Sequence, residues 1–344
     1  MADDKILTMA FETSCDETSV AILRSGRTVL SNIVSSQIDV HKVFGGVVPE
    51  IASRHHLRNI GPVMDQALLE AGLTLDQIDV IGVTNGPGLA GALLIGVATA
   101  KAIAYAKDIP LVGVHHIQSH ISANYLEHPE LEPPFLALVV SGGHTHLIRV
   151  EGYGQYRILG RTRDDAAGEA FDKVARVLEL GYPGGPAIDR AARRGSAAAV
   201  SFKRVLLEKD SLDFSFSGLK TSVLNYVNNE KSRGNPVDSA DVAAAFQEAV
   251  VDVLVEKATR ALELTGDNKL ALAGGVAANS RLREKLTAAA GDLGVRLFIP
   301  SLALCTDNAA MVACAAYHKY KAGQIDDWNL DAQADMELPM PVYI

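Results

Sequence analysis

The stretch Ile6-Leu7-Thr8-Met9-Ala10-Phe11-Glu12-Thr13-Ser14-Cys15-Asp16-Glu17-Thr18-Ser19-Val20-Ala21-Ile22-Leu23 holds an apolar run, a polar loop and a second apolar run. Short apolar runs bounded by polar turns read as strands, here residues 6–11 and 20–23. A turn at Ser25-Gly26 leads into a third strand at 28–34. The chain then repeats this unit. Residues 135–140 form an apolar run ending in Ser141-Gly142-Gly143-His144-Thr145; residues 146–150 follow, and a turn at 152–154 leads to 156–159.

The echo continues downstream. Residues 78–83 end in Asn85-Gly86-Pro87-Gly88, followed by a helix-like run at 91–106 and a strand at 111–114. In the second half, 269–273 leads to Gly274-Gly275-Val276-Ala277-Ala278-Asn279, a helix at 280–290 and a strand at 295–299. Strands alternating with helices imply parallel pairing through crossover helices, hence a duplicated α/β fold. The expected lobes are 1–125 and 126–344, with glycine or polar loops around one cleft, since open α/β sheets bind ligands at strand ends. Residues 164–245 carry no strand pattern. A helix at 171–178, a break at Tyr182-Pro183-Gly184-Gly185-Pro186, a second helix at 187–194 and a long one at 242–264 read as a helical insertion.

Composition narrows the class. The 344 residues are 48% hydrophobic and 21% charged, long for one core. The start, Met1-Ala2-Asp3-Asp4, is acidic and lacks the basic-then-apolar pattern of a signal sequence. The longest apolar stretch, 91–100, is interrupted by Lys101 and is too short to span a bilayer, so no membrane partner is expected. Cys15, Cys305 and Cys314 are odd in number and show no metal spacing, which fits a reducing, cytoplasmic setting. A net charge of −9 argues against indiscriminate nucleic-acid binding. Local basic clusters (Arg190, Arg193 and Arg194; Lys203 and Arg204; Arg281, Arg283 and Lys285) are patches of the kind that hold RNA or simply coat helices.

Chemistry concentrates at the loops. His116 and His120 lie four apart where a helix opens after strand 109–114. On one helical face their Cβ atoms sit about 5–6 Å apart. Both imidazoles can then reach one ion at about 2.0–2.1 Å. A carboxylate from elsewhere, such as Asp307 in Thr306-Asp307-Asn308, completes a two-histidine, one-carboxylate site; Asp307 is equally placed to cap the helix after it. Asp172, Asp189 and Asn279 stand beside turns or helix starts, where they accept ligand hydroxyls or serve only the helix. The glycines of Ser141-Gly142-Gly143 admit close approach of a nucleotide or anion. No Walker-type phosphate loop is present. Asp16 is the best general-base candidate in its loop, and Cys15 has no basic neighbour in sequence to activate it.

These motifs in this order resemble the TsaD family of tRNA threonylcarbamoyladenosine transferases, once called glycoproteases. The resemblance rests on Glu12-Thr13-Ser14-Cys15-Asp16-Glu17-Thr18, Asn85-Gly86-Pro87-Gly88, His116 to His120, Ser141-Gly142-Gly143-His144-Thr145, Phe171-Asp172-Lys173, Tyr182-Pro183-Gly184-Gly185-Pro186, Phe214-Ser215-Phe216-Ser217-Gly218-Leu219-Lys220, Gly274-Gly275-Val276-Ala277-Ala278-Asn279 and Thr306-Asp307-Asn308. It implies a duplicated actin-like ATPase fold (the ASKHA, ribonuclease H-like class) of two lobes. It implies that His116, His120 and Asp307 bind a divalent metal, Fe2+ foremost with Zn2+ or Mg2+ as alternatives. It further implies that Val139, Val140, Ser141, Gly142, Gly143, Asp172, Gly185, Asp189 and Asn279 contact threonylcarbamoyl-AMP, or ATP or ADP. The implied partners are tRNA, a TsaB-like paralogue and a TsaE-like small ATPase.

Two other readings follow from the same residues. A metalloprotease would need the Glu of H-E-x-x-H, and Ile117 stands in its place. A sugar-kinase-like ATPase fits the fold class but not a protein-built metal set, because kinases hold magnesium largely through phosphates and water.

Overall fold

The computed structural model describes residues 5–205, 208 and 210–338; the acidic start Met1-Ala2-Asp3-Asp4 lies outside them. The chain opens with β1 (Leu7–Glu12), β2 (Glu17–Arg24) and β3 (Thr28–Ser36), then the short α1 (Ile38–Lys42) and α2 (Pro49–Ala71). Next come β4 (Val80–Gly86), α3 (Ala90–Lys107), β5 (Leu111–His115) and α4 (His116–Glu127). These strands form one sheet in the order β3-β2-β1-β4-β5. β1 is antiparallel to β2 and parallel to β4, and β4 is parallel to β5.

The second set repeats the first. It comprises β6 (Phe135–Val140), β7 (Thr145–Gly152), β8 (Gln155–Arg161), α5 (Ala167–Val177), α6 (Gly184–Ala192), α7 (Ser217–Ser232), α8 (Ser239–Thr265), β9 (Lys269–Ala273), α9 (Ser280–Asp292) and β10 (Arg296–Phe298). Its sheet order, β10-β9-β6-β7-β8, matches the first strand for strand when read from the other edge. β6 is antiparallel to β7 and parallel to β9, as β1 is to β2 and β4. The duplication expected from the repeated pattern is therefore present in the strand order. After β10 the chain continues through α10 (Leu302–Cys305) and α11 (Ala309–Lys321).

Two compact units result. One contains Met1–Pro133, Gly152–Tyr156 and Ala303–Ile344; the other contains Pro134–Glu151 and Arg157–Leu302. This differs from the expected split at 125/126, because the last residues return to the first unit. α11 packs on β1, β2 and β4 through a run of small buried residues, Ala309, Ala310, Ala313 and Ala316. On the other side of that sheet, Met9, Phe11, Val20 and Ile22 join Ile60 and Val63 of α2 and Val97, Ala100 and Ala104 of α3 in one core cluster. Each large side chain so buried contributes about 1.5–3 kcal/mol relative to exposure.

Several boundaries differ from expectation. β1 runs through Glu12 and β2 begins at Glu17, with Glu12 paired to Ser19, so the connecting loop is only 13–16. α3 spans eighteen residues, one longer at each end than the expected 91–106. By length and composition α3 could cross a membrane; it buries Ala92, Leu93, Gly96, Val97, Ala100 and Ala104, the behaviour of a helix laid on a sheet. The expected break between α5 and α6 is present but ends sooner: α6 begins at Gly184, with Pro183 extended at its N-cap, rather than at 187. The long helix read at 242–264 is α8, which starts three residues earlier at Ser239 and ends at Thr265.

Candidate metal centre

The site grows from the end of β5. His115 accepts a hydrogen bond from Ile117 N at its own Nδ1 (3.1 Å), so a histidine caps α4. That cap fixes the first turn and sets His116 and His120 on one helix face. Their rings lie 4.6 Å apart at 76°. Asp307 arrives from the segment between α10 and α11. The cap of α11 belongs to its neighbour Asn308, whose side chain accepts from Met311 N (3.2 Å). This leaves the Asp307 carboxylate directed at the histidines: Oδ1 lies 3.2 Å from His120 Nε2 and 3.6 Å from His116 Nε2. Two donors held about 2.1 Å from one ion at 90–110° stand about 3.0–3.5 Å apart, so these separations suit a shared cation.

The donor set passes a second test. His120 is 1% exposed, and neither ring nitrogen has a hydrogen-bond partner among the described residues. A buried polar group left unpaired costs about 1–3 kcal/mol. A cation on Nε2 removes that cost at one of the two nitrogens. The three ligand atoms all lie within 4.8 Å of one another. The residues thus fit a divalent metal.

A residue that the sequence reading did not single out supports the centre. Glu12 is fully buried at the end of β1. Its Oε1 accepts from Ser14 N (2.6 Å), and its Oε2 accepts from Thr84 Oγ1 (2.6 Å) and faces His116 Nδ1 at 3.4 Å. Ser14 Oγ lies 3.2 Å from the same nitrogen. A carboxylate beside Nδ1 keeps the proton there and leaves Nε2 for an ion. Burial lowers the His116 pKa, but the charge of Asp307 and the hydrogen bond and charge of Glu12 more than reverse this, raising it to about 9. Burial raises Glu12, and the bond and charge of His116 outweigh it, so Glu12 is held below the usual carboxylate range. Without an ion the pocket therefore holds a proton on His116.

Asp16 sits one step away in the same loop and is buried. Burial and the charges of Asp16 and Asp307 push Glu17 up to about 10. Burial and the same carboxylates push the Cys15 thiol up, which agrees with its exclusion as a nucleophile.

The other candidates meet within the second unit. Val139 and Val140 are buried at the end of β6. Ser141 N donates to His144 O (2.8 Å), and Ser141 O accepts from Gly168 N in α5 (3.2 Å). In α5, Asp172 Oδ1 accepts from Gly184 N at the start of α6 (2.7 Å). In α6, Asp189 Oδ1 accepts from Ser280 Oγ (2.7 Å) at the start of α9, and its Oδ2 from Arg193 (2.8 Å). Asn279 caps α9 through Leu282 N (2.9 Å) and donates to Gln247 Oε1 (2.8 Å). The ring closes at Gly274, whose φ of +92° and close approach to the Val140 carbonyl exclude a Cβ. Four glycines in this ring differ: at Gly142, Gly143, Gly185 and Gly275 a Cβ would meet nothing within 4 Å. Packing within the chain does not require them, and they leave open backbone on one set of loops.

The basic clusters are largely neutralised. Arg281 and Lys285 hold Glu248, Lys285 also holds Asp252, and Arg204 joins Asp252. The hydrogen bond from Arg281 pulls Glu248 down to about 2. Arg283 donates to Ala277 O and Pro300 O. Arg190, Arg194 and Lys203 are exposed.

Solved structures with this architecture include full-length HypF in a phosphate- and nucleotide-bound form (TM-score 0.62, 14% identity, 93% of this chain and 47% of that one). They also include component A of the Acidaminococcus fermentans (R)-2-hydroxyglutaryl-CoA dehydratase (TM-score 0.55, 17% identity, 92% and 98% covered). The chain is thus an actin-like, ASKHA-type α/β protein that carries a His-His-Asp cluster suited to a metal. Its sequence is 56% identical to a tRNA N6-adenosine threonylcarbamoyltransferase of Clostridioides difficile over 97% of this chain and 98% of that one. A Clostridium beijerinckii protein of the same name is 54% identical over 97% and 99%. The family model described as TsaD, tRNA N6-adenosine threonylcarbamoyltransferase, matches residues 28–314. The chain belongs to this family. It is an enzyme that places the threonylcarbamoyl group on the N6 amine of adenosine in tRNA.

Proposed function

We propose that the chain takes threonylcarbamoyl-AMP and transfers its acyl group to the adenosine 3′ of the anticodon in tRNAs reading ANN codons. The N6 amine bonds to the carbamoyl carbon, the carbamoyl–phosphate C–O bond breaks, AMP leaves and the amine proton passes to a base. The observation that carries this reading is the convergence of His116, His120 and Asp307, with both His120 ring nitrogens buried and without hydrogen bonds among the described residues. These three residues would hold one divalent ion, Fe2+ before Zn2+ or Mg2+. When bound, it would supply Lewis-acid stabilisation of charge on a phosphate or carbamoyl oxygen.

The chain's own groups do the rest. Glu12 and Ser14 orient His116. Asp16 is the candidate acceptor for the amine proton. The open glycines 142, 143, 185 and 275 offer backbone to the adenylate, with Val139, Val140, Ser141, Asp172, Asp189 and Asn279 shaping that ring. Asp189 and Asn279 already tie α9 to its neighbours, so they act by holding the ring as much as by touching the ligand. An aromatic amine is a weak nucleophile, so positioning carries much of the acceleration. A TsaB-like paralogue and a TsaE-like ATPase in the cytoplasm complete the reading; the net charge of −9 supports shared rather than solitary handling of tRNA.

The test is a single-turnover assay with radiolabelled threonylcarbamoyl-AMP and unmodified tRNA. Wild type transfers label, and the His116→Ala, His120→Ala double variant loses at least about 100-fold. Full transfer by a metal-depleted double variant overturns the reading.

A further inference from the structure

The loop 13–16, which lies against the metal-centre histidine, is held at three successive carbonyls. Ser14 O accepts from Leu89 N (2.8 Å) and Asp16 O accepts from Gln37 N (3.0 Å). Cys15 O, between them, accepts from His56 Nε2 (2.9 Å). The outer donors are backbone amides from other segments; the middle donor is a side chain from α2, and it is fully buried.

The hydrogen-bond directions around His56 are determined. A carbonyl only accepts, so Nε2 carries the proton toward Cys15. Nδ1 then accepts, and the Thr18 hydroxyl donates to it (2.8 Å). His56 thus spans the loop from its apex to the first residues of β2. A second buried histidine stands behind it. Val48 N donates to His41 Nδ1 (3.3 Å), His41 Nε2 donates to Gln37 Oε1 (3.3 Å), and Gln37 Nε2 donates to Ala52 O (3.4 Å). Burial lowers the pKa of both rings, which agrees with neutral tautomers. The network ends on the loop that presents Ser14 to His116 and carries the buried Asp16.

We propose that His56 is a positioning residue of the transfer reaction: its imidazole locks the Cys15 peptide and thereby fixes Ser14 against His116 and holds the loop that carries Asp16. This rests on the assignment of that centre to the reaction. Among the described residues its side-chain hydrogen bonds reach Cys15, Thr18 and Gln37 and no candidate metal ligand.

The loop carries its own reporter. Cys15 is the half-buried member of three free thiols, while Cys305 and Cys314 are buried. Alkylation by iodoacetamide, read per cysteine by mass spectrometry, therefore measures loop opening, with the other two thiols as controls for global unfolding. Three substitutions separate the contacts. Glutamine reaches about as far as Nε2 and can still donate to Cys15 O; asparagine reaches about as far as Nδ1 and can serve only Thr18; alanine serves neither. Ile60→Ala, in the same helix and in the core cluster, supplies a destabilised control away from the loop. His56→Ala and His56→Asn should lower kcat about 10-fold or more and raise Cys15 alkylation at least about 10-fold, leaving Cys305 and Cys314 silent. His56→Gln should restore most of both, and Ile60→Ala should lower Tm without either effect. Wild-type kcat and wild-type Cys15 reactivity in His56→Ala overturn the proposal, as does activity loss that follows Tm alike in all variants. If wild type itself fails to transfer, the reaction assignment falls, and the alkylation series still decides whether His56 holds the loop.

Discussion

At the scale of single residues, the centre depends on which nitrogen of His116 carries a proton. Glu12 faces Nδ1 and Asp307 faces Nε2. Glu12→Gln removes the charge that keeps the proton on Nδ1, and metal affinity should fall about 10–100-fold by competition titration while His120 and Asp307 still bind. Unchanged affinity would show that Glu12 serves the fold alone. The raised pKa of His116 carries a pH signature in metal-stripped protein. A histidine whose folded pKa lies above its unfolded value of about 6.5 adds stability that is full below 6.5 and is lost as pH rises through 9. The Tm difference between stripped wild type and His116→Gln should therefore shrink from pH 6.5 to 9; a difference that grows over that window contradicts the assignment.

The sequence made the two histidines legible, because a spacing of four fixes one helix face. Asp307 was ambiguous, since a residue beside a helix start is ligand or cap. In the structure the cap belongs to Asn308, and the Asp307 carboxylate lies beside the histidines. Glu12 was not legible as a positioning group. Counted as a loop acid, it is in fact the last residue of β1. Only pairing register, which a lone sequence does not display, turns it toward His116.

At the scale of elements, strands were easier to read than helices. The apolar runs of β1, β6 and β9 stand out because both faces of a central strand are covered. α2 was missed: its apolar residues are diluted by His55, His56, Arg54, Arg58 and Asn59, and Pro62 lies inside it. α7 was missed as a separate helix for a similar reason, with only Leu219, Val223 and Val227 buried. The ring of loops in the second unit offers an element-scale test. Asp189 joins α6 to the first turn of α9 through Ser280. Ser280→Ala should cost about 1 kcal/mol in urea unfolding. Gly274→Ala should cost more, about 1–3 kcal/mol, from its positive φ and the adjacent Val140 carbonyl. Equal, negligible effects of both would show that the ring is not held as described.

At the scale of the whole molecule, the repeated strand order was legible because order and loop chemistry recur together. The membership of the last residues was not, because the return of α11 to β1, β2 and β4 is a long-range contact with no local signal. It makes a prediction about fragments. Residues 134–302 hold a nearly continuous unit and should unfold cooperatively alone, whereas 1–133 without α11 should not. Cooperative melting of 1–133 by circular dichroism would contradict the role given to α11.

The proposed transfer depends on a protein-built cation site, and elemental analysis of anaerobically purified protein tests it most directly. It predicts close to one divalent metal per wild-type chain and none in the His116→Ala, His120→Ala variant at matched Tm. A wild-type chain that transfers threonylcarbamoyl while metal-free, or a double variant that retains full metal content, contradicts it.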